Sequence, residues 1–230
     1  MEFKLFTGKT SINPPKSFLK INWFKPPRGW YKLNVDANFH SYNKNCGLGG
    51  VFVNATGSWI VGFVKLSHAN CSLVAELKAL QEGLRTAKEW NLLPLEIETD
   101  YLEVIQAIQV GNKLFNKIVN DCRSLMHQQK VTLRHTFRQG NRIAHQLAKG
   151  VLERDNQAIG VAGGSKAEKP SKKVFVVPPF DVIDFVESDR LESTSHKKLL
   201  CNEACKLLAS LGNQYILQDA CYVDYVLDVS

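Results

Sequence analysis

The chain has 230 residues, 44% hydrophobic and 22% charged, with a formal charge of +7. That balance describes a globular chain with room for one ordinary domain plus appendages, or two small domains. No apolar run approaches the roughly 18 residues of a membrane span, so no membrane partner is expected, while the basic excess favours a polyanion such as nucleic acid over a merely soluble surface by very little.

Positions 1–26 read as an arm, with Pro14-Pro15 in a mixed context and no signal-peptide pattern. Nuclear or cytoplasmic placement, not secretion, is the expectation. WYKLNVDAN alternates Tyr31, Leu33 and Val35 against Lys32, Asn34 and Asp36, which is strand periodicity. CGLGGVFVNATGSWIVGFVKL holds two Val-, Ile-, Phe- and Trp-rich runs split by Asn54–Gly57, so a hairpin follows and three antiparallel strands result. Gly47, Gly49 and Gly50 precede a strand and not a helix, and read as a turn or bulge.

Leu73, Leu77, Leu80, Leu84 and Ala87 then recur at helical spacing, with Ser72 as the cap. LEIETD forms a short strand ending at Asp100. Leu102, Ile105 and Ile108 mark one short helix, and Ile118, Val119, Cys122, Leu125 and Met126 another. VTLRHTFR alternates as a fifth strand. In RQGNRIAHQLAKG, Asn141 reads as an N-cap, and Ile143, Ala144, Leu147, Ala148 and Val151 form an inward stripe. The order is βββ-α-β-α-α-β-α, all within 27–152. Positions 153–173 are polar, basic and glycine-bearing and read as a linker. Positions 174–230 read as a small appended unit, with a helical run around HKKLLCNEACKLLASL, and offer a surface for a protein partner. The six cysteines carry no CxxC pair and read as reduced thiols; Cys201 and Cys205 could share a helix face.

Three acids stand where acids are awkward. Asp36 ends the polar face of the first strand, Asp100 ends the fourth, and Glu76 lies at the edge of the first helix's apolar stripe. If the two strands are neighbours, the helix leans Glu76 onto an Asp36–Asp100 pair. Clustered carboxylates repel one another unless cations neutralise them. Oxygen-only ligands suit Mg²⁺ or Mn²⁺, and a pair of such ions about 4 Å apart can activate water and stabilise a leaving oxygen. A lone acid at a strand end is ordinarily a solvated cap; the conjunction of three is what points to metal chemistry.

GWYKLNVDAN, GLGGVFVNATGSWIVGF, AELKALQEGLRTAKEWN, IETDYLEVIQAI, IVNDCRSLM and LRHTFRQGNRIAHQLAKG together resemble the type 1 ribonuclease H-like domain. The branch they resemble is the plant one related to non-LTR retroelement ribonuclease H. The resemblance covers 27–152. It implies an α/β fold with a five-stranded mixed sheet flanked by helices. It implies endonucleolytic hydrolysis of the RNA strand of RNA–DNA hybrids with two divalent ions, leaving a 3′-hydroxyl and a 5′-phosphate. Asp36, Glu76 and Asp100 take the family's metal-ligand positions, with Mg²⁺ (or Mn²⁺) as cofactor. His135 takes the place of a histidine acting as general base or in product release.

The sequence departs from the family at its fourth acid, where NRxADxLA reads NRIAHQLA and the residue is His145. Neutral imidazole can ligate Mn²⁺ but is a poor ligand for Mg²⁺, so a second ion is expected to bind more weakly. Gln139 and Ala37 replace a glutamate and a glycine common in the branch. On the residues alone, His135 shares its face with Leu133 and Phe137, as a packed strand histidine would. The resemblance places Asn38 and Asn70 in loops that meet the RNA 2′-hydroxyls, while Asn70 equally suits a helix start. Arg138, Asn141 and Arg142 are candidates for nucleic-acid contact, and Arg134 and Arg138 could instead be a solvated face. The expected activity is that of a monomeric hybrid-cleaving nuclease. The rival is a domesticated module that binds nucleic acid or a protein without efficient cleavage.

Overall fold

Alternating β-branched and aromatic residues become strands where the alternation predicts them. The computed structural model describes residues 16–21, 23–127, 130–161, 172–191 and 196–213. β1 (Lys16–Ile21) comes first in the chain. β2 (Tyr31–Phe39), β3 (Asn45–Val53) and β4 (Trp59–His68) then form an antiparallel meander. α1 (Ser72–Glu89), β5 (Leu95–Thr99), α2 (Leu102–Val110), α3 (Asn116–His127), β6 (Val131–His135) and α4 (Arg142–Val161) complete the expected order. β5 runs parallel to β2, with Asn34 opposite Glu98, and β6 runs parallel to β5, with Thr99 opposite His135.

The mixed sheet therefore has its five expected strands and gains a sixth. β7 (Lys173–Phe175) pairs antiparallel with β4, giving the order β6-β5-β2-β3-β4-β7. α5 (Ile183–Arg190), β8 (His196–Cys201) and α6 (Asn202–Ser210) follow, and β8 pairs with β1 in a separate two-stranded ribbon. Several expectations need correction. The supposed linker from 153 begins inside α4, which is helical to Val161. The segment after 173 joins the main sheet and core, and does not stand apart from them. HKKLLC is a strand, so Cys201 does not share a helix with Cys205. The strand at VTLRHTFR stops at His135, because the chain turns through a 3-10 segment at Arg138–Gly140 into α4. Ser72 does not cap α1; Cys71 holds that place with no side-chain cap bond.

Helices cover both faces of the sheet. On one face Leu77, Leu80 and Leu84 of α1 and Val119 and Cys122 of α3 pack against Leu33, Val35 and Ile97, all fully or almost fully buried. Each such leucine contributes on the order of 1.5–3 kcal/mol of burial. On the other face Ile143 and Leu147 of α4 pack on Val51, Val53 and Val64, with Trp23, Val182 and Val186 closing the layer.

The glycines of β3 explain how α4 comes so near the sheet. They form no turn or bulge, as the sequence suggested; Gly47 and Gly49 lie within the strand beneath the helix. A Cβ at Gly49 would stand 2.5 Å from Ala148 N and 2.6 Å from Ala144 O. Those atoms are helix backbone and cannot swing aside. Gly49→Ala is expected to lower the unfolding free energy by about 1–3 kcal/mol, the usual effect of overpacking. A denaturant midpoint unchanged from wild type would show that α4 can lift without cost.

Candidate functional site

The parallel pairing of β2 and β5 does what the acid pattern required. Asp36 lies in β2 and Asp100 directly follows β5, so the two carboxyls come near enough to repel, and Asp100 helps to raise Asp36. Glu76, in the second turn of α1, joins them electrostatically. Asp36 is 4% exposed and Glu76 5%, while Asp100 is half-buried. Burial is the largest cause that raises Asp36, with Asp100 adding to it and a bond from His145 opposing it; the carboxyl is pushed up to about 6. Glu76 is pushed well up by burial and then by Asp36 and Asp100, against the Ala37 backbone N–H and the Arg138 charge. Glu76 Oε2 has no hydrogen-bond partner among the described residues.

Three nitrogen-bearing residues surround the acids. Asn141 precedes α4, and its carbonyl accepts the His145 N–H at 3.0 Å, as an N-cap residue's does. Its side chain does not cap the helix. Nδ2 instead donates to Asp100 Oδ1 at 3.0 Å and to Val35 O at 2.9 Å. His145, one turn into α4, places Nδ1 2.9 Å from Asp36 Oδ2. Arg138 Nη2 lies 2.8 Å from His145 Nε2 and 3.1 Å from Nδ1. Nη2 is close to both ring nitrogens at once, so the guanidinium lies against the imidazole while the ring bonds Asp36, and His145 stands between a carboxyl and a cation.

The other candidates lie elsewhere. His135 is buried at the end of β6, where Nδ1 meets Asn213 Nδ2 at 2.7 Å and the backbone N–H donates to Leu211 O. It also meets Phe137 edge-on, so the geometry favours packing over a proton-transfer role. Arg142 is not free for phosphate. Asp189 Oδ1 takes its Nη2 at 2.5 Å, Ser188 bonds it at 3.1 Å, and the Phe185 ring stacks on it. Asn141 is 1% exposed and cannot touch nucleic acid. Asn38 lies within β2 opposite Gly47, not in a loop after it, whereas Asn70 is exposed just before α1. Arg138 alone of the expected basic contacts is exposed at the site, and it leans on His145. Sequence reasoning missed Asn213 and Asp189. Both act across 47 residues or more of chain, and no local pattern signals such a contact.

The acids suit a divalent cation by chemistry. They offer carboxylate oxygens, the donors of hard ions, and a cation would relieve both the raised carboxyls and the unpartnered Glu76 oxygen. Among the described residues no three His, Cys, Asp or Glu side chains already stand at metal-ligating spacing, so the acids must draw in to close on an ion.

Without metal the cluster is destabilising, and the sign follows from the raised carboxyl. Folded Asp36 binds its proton more tightly than the ordinary value of 3.8 allows, so keeping it ionised costs stability above about pH 6. That cost lifts as pH falls from about 6 towards 4. Asp36→Asn removes it, and is expected to raise the unfolding free energy in EDTA at pH 7 by on the order of 2 kcal/mol. The gain should shrink at pH 5. An equal or larger gain at pH 5 would contradict this account.

Comparison with known proteins gives the fold a context. A family model described as "Reverse transcriptase-like" matches residues 34–151, just over half of the chain. An Arabidopsis thaliana protein named "Putative ribonuclease H protein At1g65750" is 30% identical over 142 residues, covering 60% of this chain. The chain spans only 23% of that relative's length. Among solved structures, the N-terminal RNase H domain of Rv2228c from Mycobacterium tuberculosis superposes with a TM-score of 0.51 at 18% identity, over 56% of this chain and 96% of that one. LC11-RNase H1, solved with an RNA/DNA hybrid, gives 0.50 at 15% identity, over 55% of this chain and 99% of that one. At these identities the likeness is one of fold.

Proposed function

We propose, from the premise that the chain belongs to the reverse transcriptase-like family and carries a ribonuclease H-like domain, that it is a divalent-metal nuclease acting on the RNA strand of RNA–DNA hybrids. The observation that carries this reading is the convergence of Asp36, Glu76 and Asp100, two of them with raised carboxyls, at the end of the parallel β2–β5 pair. Asp36 and Asp100 would hold Mg²⁺ or Mn²⁺, with Glu76 completing the ligand set and orienting water. A bound ion of this kind supplies Lewis acidity at the phosphate and makes water a better nucleophile. His145 keeps Asp36 turned inward, and Asn141 does the same for Asp100. Arg138 stands exposed at the mouth, where a strand's phosphate would pass. Asn70, exposed ahead of the helix that carries Glu76, is a candidate contact for a 2′-hydroxyl. His135 has no part in the proposed reaction, being held beneath Asn213.

One observation favours a second reading, in which hybrid is bound without efficient cleavage. His145 and Arg138 bring an imidazole and a guanidinium to the acids, where a further acid would bring a negative charge. A hybrid labelled on its RNA strand separates the two. Shortening of that strand in Mg²⁺ or Mn²⁺, with duplex DNA left intact, supports the nuclease. Tight hybrid binding with no shortening in either ion supports the binding module.

A further inference from the structure

We infer that the Arg138 guanidinium, docked on His145, acts as a built-in cation at the Asp36–Glu76–Asp100 cluster, so that the cluster takes one divalent ion and not two. This deepens the proposed function and rests on it.

The inference follows from charge and from donors. Fully ionised, the three acids carry three negative charges. A guanidinium stays charged throughout the accessible pH range. Arg138 is 2.8 Å from the ring that bonds Asp36, and its charge favours the ionised form of Glu76. Arg138 therefore offsets one of the three charges, and a single divalent ion offsets the other two. A second ion would leave this largely buried site with two excess positive charges, which burial makes costly. A ligand atom is on hand as well: Glu76 Oε2 is buried and has no hydrogen-bond partner among the described residues, and one ion would satisfy it.

Mn²⁺ titration of the full chain, followed by the electron paramagnetic resonance of free Mn²⁺ and by calorimetry, tests this without any activity readout. Wild type is expected to bind one Mn²⁺ at the cluster. Arg138→Gln should tighten that ion by roughly threefold to tenfold, as removing a nearby positive charge does. Arg138→Lys, which keeps the charge, should leave the affinity unchanged. The double variant Arg138→Gln/His145→Asp, with one cation removed and one acid added, should bind two. Two ions bound by wild type, or Arg138→Gln binding no tighter than Arg138→Lys, would overturn the inference while leaving the nuclease reading intact. No Mn²⁺ lost from wild type on mutating Asp36 to Asn would instead overturn the metal site, and the nuclease reading with it.

Discussion

Lys32→Met lowers the unfolding free energy by about 3–5 kcal/mol, the cost of stranding buried charges. Lys32 is fully buried, on the opposite face of β2 from Leu33 and Val35. Its amine makes three contacts: Glu96 at 2.9 Å, Glu98 at 2.5 Å and Phe24 O at 2.6 Å. The Trp23 ring covers it at 5.5 Å. Burial already pushes Glu98 up despite Lys32, and Asn34 Nδ2 supports its other oxygen at 3.0 Å. Methionine fills the space but takes the shared cation from two buried acids, with Asn34 still bonded to Glu98 and Arg134 3.6 Å from Glu96. Urea unfolding measures the loss. Lys149 serves as the control, since its bond to Glu153 spans 3.5 Å between half-exposed side chains and Lys149→Met should change stability by no more than about 0.5 kcal/mol. A loss below about 1 kcal/mol at Lys32 would mean that water reaches the cluster.

Asp100→Asn has the largest expected effect on activity: a fall in hybrid hydrolysis of about a thousandfold or more, with the fold intact. Asparagine keeps the shape of the side chain, and its carbonyl still accepts the Asn141 bond. What it removes is the negative charge beside Asp36. A site whose parts act as a unit loses most of its rate when any one is lost, whereas hybrid affinity rests largely on cationic contacts to phosphate and should change only a few-fold. Single-turnover cleavage and a binding titration on one preparation separate the two effects. Equal loss of binding and cleavage would place Asp100 in substrate recognition.

Much of this was legible in the sequence because it is local. Alternation marked β2, β5 and β6, helical spacing marked α1 and α4, and Asp36, Glu76 and Asp100 stood out as acids at the ends or edges of apolar patterns. Burial of the polar sheet face was not legible. Lys32, Asn34, Glu96 and Glu98 alternate with apolar residues as a solvated face would, yet all four are buried, because they satisfy one another beside the Trp23 ring. Period-two alternation separates two faces without saying which of them meets water. The fates of His135 and Arg142 were hidden for a different reason. Asn213 and Asp189 come from the chain after 173, and their capture of the two residues depends on how that segment folds back. His145 was legible as an oddity; its bond to Asp36 and its Arg138 neighbour were not.

The central claim is that Asp36, Glu76 and Asp100 form a cation site. Crystals of the full chain soaked in Mn²⁺ and measured at the manganese edge test it most directly. The account predicts a single anomalous peak among the three carboxylates, absent from Asp36→Asn crystals treated in the same way. No peak there at saturating Mn²⁺, or an undiminished peak in Asp36→Asn, would contradict it.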